Sequence, residues 1–233
     1  MANLCIIPAR GGSKRIPKKN IKFFLGKPII AYSIEKALKS GLFDKVIVST
    51  DDKEIIQVSK KYGADVPFIR SRDNSNDFAT TLDVVEEVLS QFKMDNTFFD
   101  KVCCLYPCSP LLEEKSLIKA CNALDSHIDA VVPIVPFSFP IQRAFKIEKG
   151  LLRYFEPIHE KTRSQDLERS YHDAGQFYFF KPEAILKEQT LVPKNTTYTL
   201  LDEMEVQDID NPSDWVLAEI KYKLKTNGIS NEV

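Results

Sequence analysis

The sequence predicts an α/β fold, a doubly wound and mostly parallel sheet, and three observations carry that expectation. Short apolar runs at 4–7, 45–49, 102–105 and 130–135 have strand length, with little of the alternation that a solvated face would impose. The segments between most of them repeat apolar residues at three- and four-residue spacing, as helices packed along one side do. The first run enters a basic, glycine-bearing loop, and in open α/β sheets ligands bind beyond the C-terminal ends of strands.

Residues 4–7 make the first, central strand. Pro28 suits the first turn of a helix with Ile30, Ile34, Ala37 and Leu38 on its inner face, and Gly41 ends it. After the strand at 45–49, Asp51-Asp52-Lys53-Glu54 has the spacing of a capping box that opens a helix to about Tyr62. A third strand is expected at 66–69, then a polar loop at 70–77 and a helix with Leu82, Val85, Val88, Leu89 and Phe92 inward. Ser109-Pro110 should cap and begin a helix with Leu117, Ile118, Cys121 and Leu124 inside, leading to the strand at 130–135.

Beyond Val135 the pattern changes. Residues 144–147 and 151–155 flank Glu148-Lys149-Gly150 as a hairpin, and 157–174, crowded with charge and without a period, reads as a binding loop or a disordered one. Strands return at 176–180 and 198–201. Asn211-Pro212 starts a last helix with Leu217, Ile220 and Leu224 inside.

At 233 residues, 43% hydrophobic and 28% charged, the chain has material for a sizeable core. It shows neither a membrane-spanning run nor the pattern of a leader, so a cytoplasmic protein is expected. The five cysteines are odd in number and unpaired in spacing, which suits reduced core thiols. Seven cations and no acid precede Glu35, leaving 25 cations against 33 acids in the remainder. Positive charge gathered in one loop argues against a nucleic-acid binder.

That loop is built to hold an anion. Gly11 and Gly12 permit close backbone approach, and Arg10, Lys14, Arg15, Lys18 and Lys19 supply charge-assisted hydrogen bonds at a density suited to a polyphosphate. Neither the P-loop nor the dinucleotide fingerprint is present. Further clusters at strand ends, Ser49 with Asp51 and Asp52, Arg70 to Thr81, and Tyr106 to Pro110, should converge on the same place. Taken alone, Asp51 reads equally as a helix cap and Ser109 as a helix start. Near the C-terminus, alternation in an extended Gln207-Asp208-Ile209-Asp210 puts two carboxylates on one side, a weak motif for a hard cation shared with phosphate. His127, His159 and His172 make no metal triad, and His127 reads as a surface residue.

The run Ile7-Pro8-Ala9-Arg10-Gly11-Gly12-Ser13-Lys14, with Pro17-Lys18-Lys19-Asn20 behind it, resembles the nucleotide-binding segment of the CMP-sialic acid synthetase-like cytidylyltransferases, most of all the pseudaminic acid branch. The resemblance spreads from Ile6 to Asp210. It implies a Rossmann-like nucleotide-diphospho-sugar transferase fold, with 1–233 as one nucleotidyltransferase domain and 135–174 as a β-hairpin arm for dimerisation that also serves the sugar site. It further implies CTP and an acidic nine-carbon sugar as substrates, Mg2+ on Asp208 and Asp210, and a homodimer.

By the same resemblance, Ala9, Arg10, Gly11, Gly12, Ser13 and Asn20 bind the nucleotide, the N–H groups of Gly11 to Ser13 at its phosphates, while Arg70, Ala79 and Thr81 belong to the segment that holds cytosine and ribose. Tyr106-Pro107-Cys108-Ser109-Pro110-Leu111 stands for a Q-P-T-S-P-L segment lining nucleotide and sugar pockets, with Tyr106 for Gln, Cys108 for Thr and Leu112 for a usual Arg. Tyr171 to Phe177 replaces the F-R-P-N-G segment of sialic acid enzymes, which marks His172 and Gln176 as sugar contacts. Arg163 resembles the pseudaminic branch and is expected to take the substrate carboxylate.

The function so implied is CMP transfer from CTP to a nonulosonic acid, pseudaminic acid first, with release of pyrophosphate. Arg10, Lys14 and Lys19 would neutralise the leaving group, and Asp210 would accept the proton. Enzymes for sialic, legionaminic or octulosonic acid differ only in the sugar pocket. The alternative from another class is a CTP-binding regulator without turnover.

Overall fold

A computed structural model describes residues 2–227; Met1 and 228–233, the ends of the expected 1–233 domain, lie outside the described residues. Strand β1 (Asn3–Pro8) is followed by a small hairpin, β2 (Phe23–Phe24) and β3 (Lys27–Pro28), then α1 (Ile29–Lys39) and β4 (Lys45–Ser49). Helices α2 (Lys53–Lys61) and α3 (Thr81–Met94) precede β5 (Lys101–Leu105), α4 (Glu114–Ala123) and β6 (Ala130–Pro136). The chain then makes β7 (Phe145–Glu148), β8 (Leu151–Tyr154), β9 (Tyr171–Asp173), β10 (Phe177–Phe180), α5 (Pro182–Glu188), β11 (Thr196–Leu200) and α6 (Pro212–Thr226).

The main sheet has the order β11-β6-β10-β5-β1-β4, with β9 also on β6. Strand β1 pairs in parallel with both β4 and β5, Cys5 standing opposite Val46 and Cys103. Strand β10 runs antiparallel between β5 and β6, so the sheet is mixed where mostly parallel pairing was expected.

Alternate strand residues serve the two faces. Cys5, Ile7, Val46, Val48 and Cys103 pack under Ile30, Ile34 and Ala37 of α1, Ile55 of α2 and Leu117 of α4. Leu4, Ile6, Ile47, Val102 and Cys104 meet Val85, Val88 and Phe92 of α3 and Ile185 of α5. A third cluster joins Ile16, Phe24, Tyr32, Ile209 and Trp215, with edge-to-face contacts from Phe24 to Tyr32, Trp215 and Tyr222. It places the basic loop, through Ile16, beside the segment around Ile209. Burying two such isoleucines contributes about 1.5–3 kcal/mol each.

Several expectations are corrected. Residues 66–69 form no strand; two isolated bridges, Ile47 with Asp65 just before them and Thr50 with Ile69 at their end, stand in its place, and Pro67 between has no N–H for a ladder. Asp51 is not the cap of α2; Asp52 is, accepting from Glu54 N and Ile55 N at 2.8 and 3.0 Å. Ser109-Pro110 lies in a turn, and α4 begins four residues beyond Pro110, with Glu113 at its cap position. Leu38, Ile118, Leu217 and Ile220 are exposed rather than inward. Helix α6 buries Trp215 and Ala218 instead, because the aromatic cluster claims that face.

The stretch at 157–174 is ordered as single helical turns and β9, whose Asp173, His172 and Tyr171 pair with Ile134, Val135 and Pro136 of β6. The excursion therefore leaves from β6 and returns to it, carrying the expected β7–β8 hairpin between. Helix α5 and the β2–β3 hairpin were not anticipated.

Candidate active site

A cavity of about 550 Å³ opens beyond β1 and β5, lined from Pro8 and Tyr106 at strand ends, the basic loop, the 70–81 segment and residues 207–210. Three of the four clusters expected to converge line it; Ser49 to Asp52 does not, and touches it only through the Asp51 bond to Gly11 and the Ser49 bond to Arg70, while 207–210 joins in its place.

Internal hydrogen bonds shape the loop. Gly11 N–H donates to Asp51 Oδ1 at 2.9 Å, Ser13 N–H to Gly11 O at 3.0 Å, and buried Asn20 gives its Nδ2 to Arg10 O at 3.0 Å. A Cβ on Gly11 would stand 2.8 Å from Asp52 Oδ2, so this position requires glycine for close approach to the α2 cap; Gly12 is open. Arg10, Ser13, Lys14, Lys19 and Asn20 line the cavity, while Ala9, Gly11 and Gly12 do not. With the Gly11 and Ser13 N–H groups engaged, side chains dominate what the loop offers an anion.

Those side chains are paired with carboxylates of the same chain. Arg10 Nη1 lies 2.8 Å from Asp77 Oδ1, and Lys14 bonds the other Asp77 oxygen. The Lys14 and Arg10 hydrogen bonds hold the Asp77 carboxyl below the usual range. Arg15 is 2.9 Å from Asp210 Oδ1, and Lys19 Nζ reaches Ile209 O at 2.7 Å and Asp210 at 3.5 Å. Sequence reasoning missed the pairings of Asp77 and Arg15. Asp77 stood in a recognised segment, but nothing local ties it to Arg10.

On the other wall, Arg70 is buried, with Nε on Ser49 Oγ at 3.0 Å and Nη2 on Ser49 O. Burial brings its pKa down to about 10, so it stays charged at neutral pH. Ala79 and Thr81 line the cavity beside it, and Thr80 with Asp83 forms a reciprocal cap that fixes the start of α3. Thr81 Oγ1 meets Tyr106 OH at 3.0 Å.

Asp208 and Asp210 both line the cavity. Burial and then the charge of Asp210 push the Asp208 carboxyl up, with Lys19 opposing. Two crowded carboxylates with oxygen donors alone fit a hard divalent cation, which takes its remaining ligands from phosphate or water. Cys108 lies nearby, its thiol pushed up to about 12 by burial and therefore protonated.

A second cavity of about 530 Å³ adjoins the first, sharing Tyr106, Gly175, Gln207 and Asp208. His172 lines it, with Nδ1 2.9 Å from Asp173 O and its ring 4.8 Å from that of Phe137. The other sugar candidates stand elsewhere in the single chain. Ser109 is buried and lines neither cavity, and Gln176 is buried with Nε2 on Glu205 O at 2.6 Å. Arg163 is exposed on the excursion, paired with Asp166 at 2.7 Å.

Comparison with known proteins agrees with this architecture. A family model described as cytidylyltransferase matches residues 4–208. The chain is 46% identical to the pseudaminic acid cytidylyltransferase of Campylobacter jejuni, over 96% of this chain and 97% of that protein. It is 34% identical to the CMP-N,N'-diacetyllegionaminic acid synthase of Legionella pneumophila, over 98% and 100%. Among solved structures, a CMP:2-keto-3-deoxy-manno-octonic acid synthetase complexed with CTP superposes with a TM-score of 0.68 at 18% identity, covering 97% of this chain and all of that one, a likeness of fold. By the extent of the family match and the identity of these relatives, the chain belongs to the cytidylyltransferase family.

Proposed function

We propose that the chain transfers CMP from CTP to a nonulosonic acid, pseudaminic acid first, and releases pyrophosphate. The observation that carries this reading is one cavity holding a cationic loop, a base-side wall around Arg70 and an acidic pair, joined to a second cavity large enough for a sugar. Its 46% identity to a pseudaminic acid cytidylyltransferase favours that acid over its sisters.

In this reading Arg10, Lys14 and Lys19 take the β- and γ-phosphates, and Arg70, Ala79 and Thr81 border the cytidine. Loss of pyrophosphate leaves charge on the departing oxygens, which preorganised cations stabilise most as the bond breaks. The anomeric hydroxyl attacks the α-phosphorus in line, its proton passing to Asp210, as the bond to pyrophosphate breaks. Asp208 and Asp210 would hold Mg2+, which when bound offsets phosphate charge and lowers the pKa of a nearby hydroxyl. Tyr106 and His172 border the sugar.

The excursion at 135–174 serves a homodimer. Phe139 and Ile147 are 81% and 79% exposed, and Phe145, Leu151, Leu152 and Phe155 are also exposed, too many for a hairpin standing in water. A second copy paired about a two-fold axis covers them and brings Arg163 to the partner's sugar site. Among the described residues no helix is long and apolar enough to cross a membrane, and we place the reaction in the cytoplasm.

The test is a panel of pseudaminic, legionaminic, sialic and octulosonic acids with CTP, read by pyrophosphate release. Turnover fastest with pseudaminic acid is expected. Binding of CTP without pyrophosphate from any acid would mark a regulator.

A further inference from the structure

The second cavity holds a carboxylate that none of the proposed steps uses. Asp173 lines it at the end of β9, where Oδ1 accepts Gly175 N–H at 2.8 Å and Oδ2 accepts the Tyr178 hydroxyl. Gly175, at φ +60°, makes the turn that brings its N–H back to Asp173. Tyr178 is buried, packed edge-to-face on Tyr106 at 5.8 Å, and Tyr106 is in turn tied to Thr81. The carboxylate is thus fixed by a backbone donor and a phenol anchored in the core.

It is also unpaired in charge. Among the described residues, no Lys or Arg nitrogen lies within 4 Å of Asp173. The cavity's own cation, Lys221, is engaged elsewhere, its Nζ donating to Glu203 O and Val206 O at 3.0 and 2.7 Å. An ionised carboxylate accepts up to about four hydrogen bonds, so two of its sites remain. Because Asp173 is exposed, those sites are open to whatever fills the cavity.

We propose that Asp173 determines which acid is accepted, by taking a hydrogen bond from an acylamino N–H of the sugar. This rests on the proposed transfer to a nonulosonic acid. A carboxylate only accepts, so its partner must be a donor. The sugar is itself an anion, and placing its C1 carboxylate against Asp173 would set like charges together. Asp173 therefore reads the part of the sugar remote from C1. There an N–H or a hydroxyl is the available donor, and replacing one by the other is the change that separates an acid with two acylamino groups from one with a single such group.

The experiment is steady-state kinetics of wild type, Asp173→Ala and Asp173→Asn, with an acid bearing the acylamino group and with its analogue carrying hydroxyl at that carbon. CTP affinity is measured by calorimetry. Asp173→Ala should raise KM for the acylamino acid about tenfold or more, the scale of a lost hydrogen bond to a charged group, with CTP affinity unchanged. Its effect on the hydroxyl analogue should be smaller. Asp173→Asn keeps an acceptor for Gly175 N–H and should fall between, which preserves the test if the alanine variant does not fold. An unchanged KM in either folded variant overturns the inference, as does a loss equal for both acids or shared by CTP binding. A penalty larger for the hydroxyl analogue would assign a hydroxyl and overturn the N–H assignment. Wild type that releases no pyrophosphate with either acid would overturn the functional reading instead.

Discussion

Arg10 Nη1 lies 2.8 Å from Asp77 Oδ1 and 2.7 Å from Asn76 O, while Lys14 holds the second Asp77 oxygen. Two cations assigned to the triphosphate are thus engaged by a carboxylate on the facing loop. A nucleotide must displace Asp77, and removing its charge should make that easier. Asp77→Asn is expected to bind CTP about two- to fivefold more tightly at low salt, the scale of an exposed ion pair, with the gain shrinking as salt rises. Calorimetric titration at two ionic strengths checks it. Weaker binding would instead make Asp77 part of the nucleotide site.

Lys14 carries the complementary prediction. Its charge matters most as pyrophosphate departs, so Lys14→Ala should lower kcat roughly a hundredfold, by analogy with loss of an oxyanion donor, and affect CTP affinity far less. Unchanged kcat with a raised KM for CTP would reduce Lys14 to a binding residue.

The acidic pair makes a separable claim about metal. Asp210→Asn should lose most activity and weaken binding of Mg2+ measured by calorimetry, because a neutral amide is a poor ligand for a hard cation. The side chain is a third exposed, and its partners Arg15 and Lys19 reach solvent, so the melting temperature should change little. Full activity with excess chelator would remove the metal from the mechanism.

Glu205 gives a pH dependence of stability. It is buried, and burial pushes its carboxyl above its ordinary value against the Ser116 hydroxyl bonded to it at 2.7 Å. Between the ordinary and the raised value the folded chain keeps a proton that the unfolded chain has lost, so stability falls as pH rises through that window. Glu205→Gln lacks this titration. The stability of wild type relative to the variant should decrease as pH rises upward from the ordinary glutamate value, as read by thermal melts. A difference constant across that range would show that Glu205 titrates alike in both states.

What the sequence revealed follows from which forces are local. Strands at 4–7 and 45–49 were legible because burial on both faces leaves an apolar run, and the basic loop because glycine and charge gather in one stretch. The inner face of α6 was not. Leu217, Ile220 and Leu224 make a plausible stripe, yet Trp215 and Tyr222 win by meeting Phe24 from a distant hairpin. Within the site, Asp51 looked like a helix cap, while its actual donor, Gly11 N–H, lies 40 residues away. The partners of Asp77 and Asp210 were hidden in the same way. Spacing names the groups that carry chemistry, and tertiary packing decides which of them meet.

Arg163 is the strongest case of a residue whose role a single chain leaves open. It is 71% exposed and, among the described residues, its side chain is bonded to Asp166 alone, although a substrate carboxylate needs an Arg and the arginines that line the two cavities, Arg10, Arg15 and Arg70, are all engaged. The exposed face of the excursion from Phe137 to Phe155 needs cover, and a second copy supplies it while carrying each Arg163 toward the other chain's sugar cavity. Sedimentation at assay concentration should therefore show two chains per particle. Arg163→Ala should raise KM for the sugar and leave CTP affinity intact, since its target is the acid. If the site is shared, then at a sugar concentration far below the raised KM an Arg163→Ala chain and an Asp210→Asn chain are both nearly silent, for reasons located on different subunits. After subunit exchange, half the sites in each hybrid dimer then combine wild-type Arg163 and Asp210, and activity should return to roughly a quarter of wild type from statistical mixing. A fully active monomer would defeat the dimer, and no recovery despite proven exchange would place Arg163 in its own chain's site or outside the reaction.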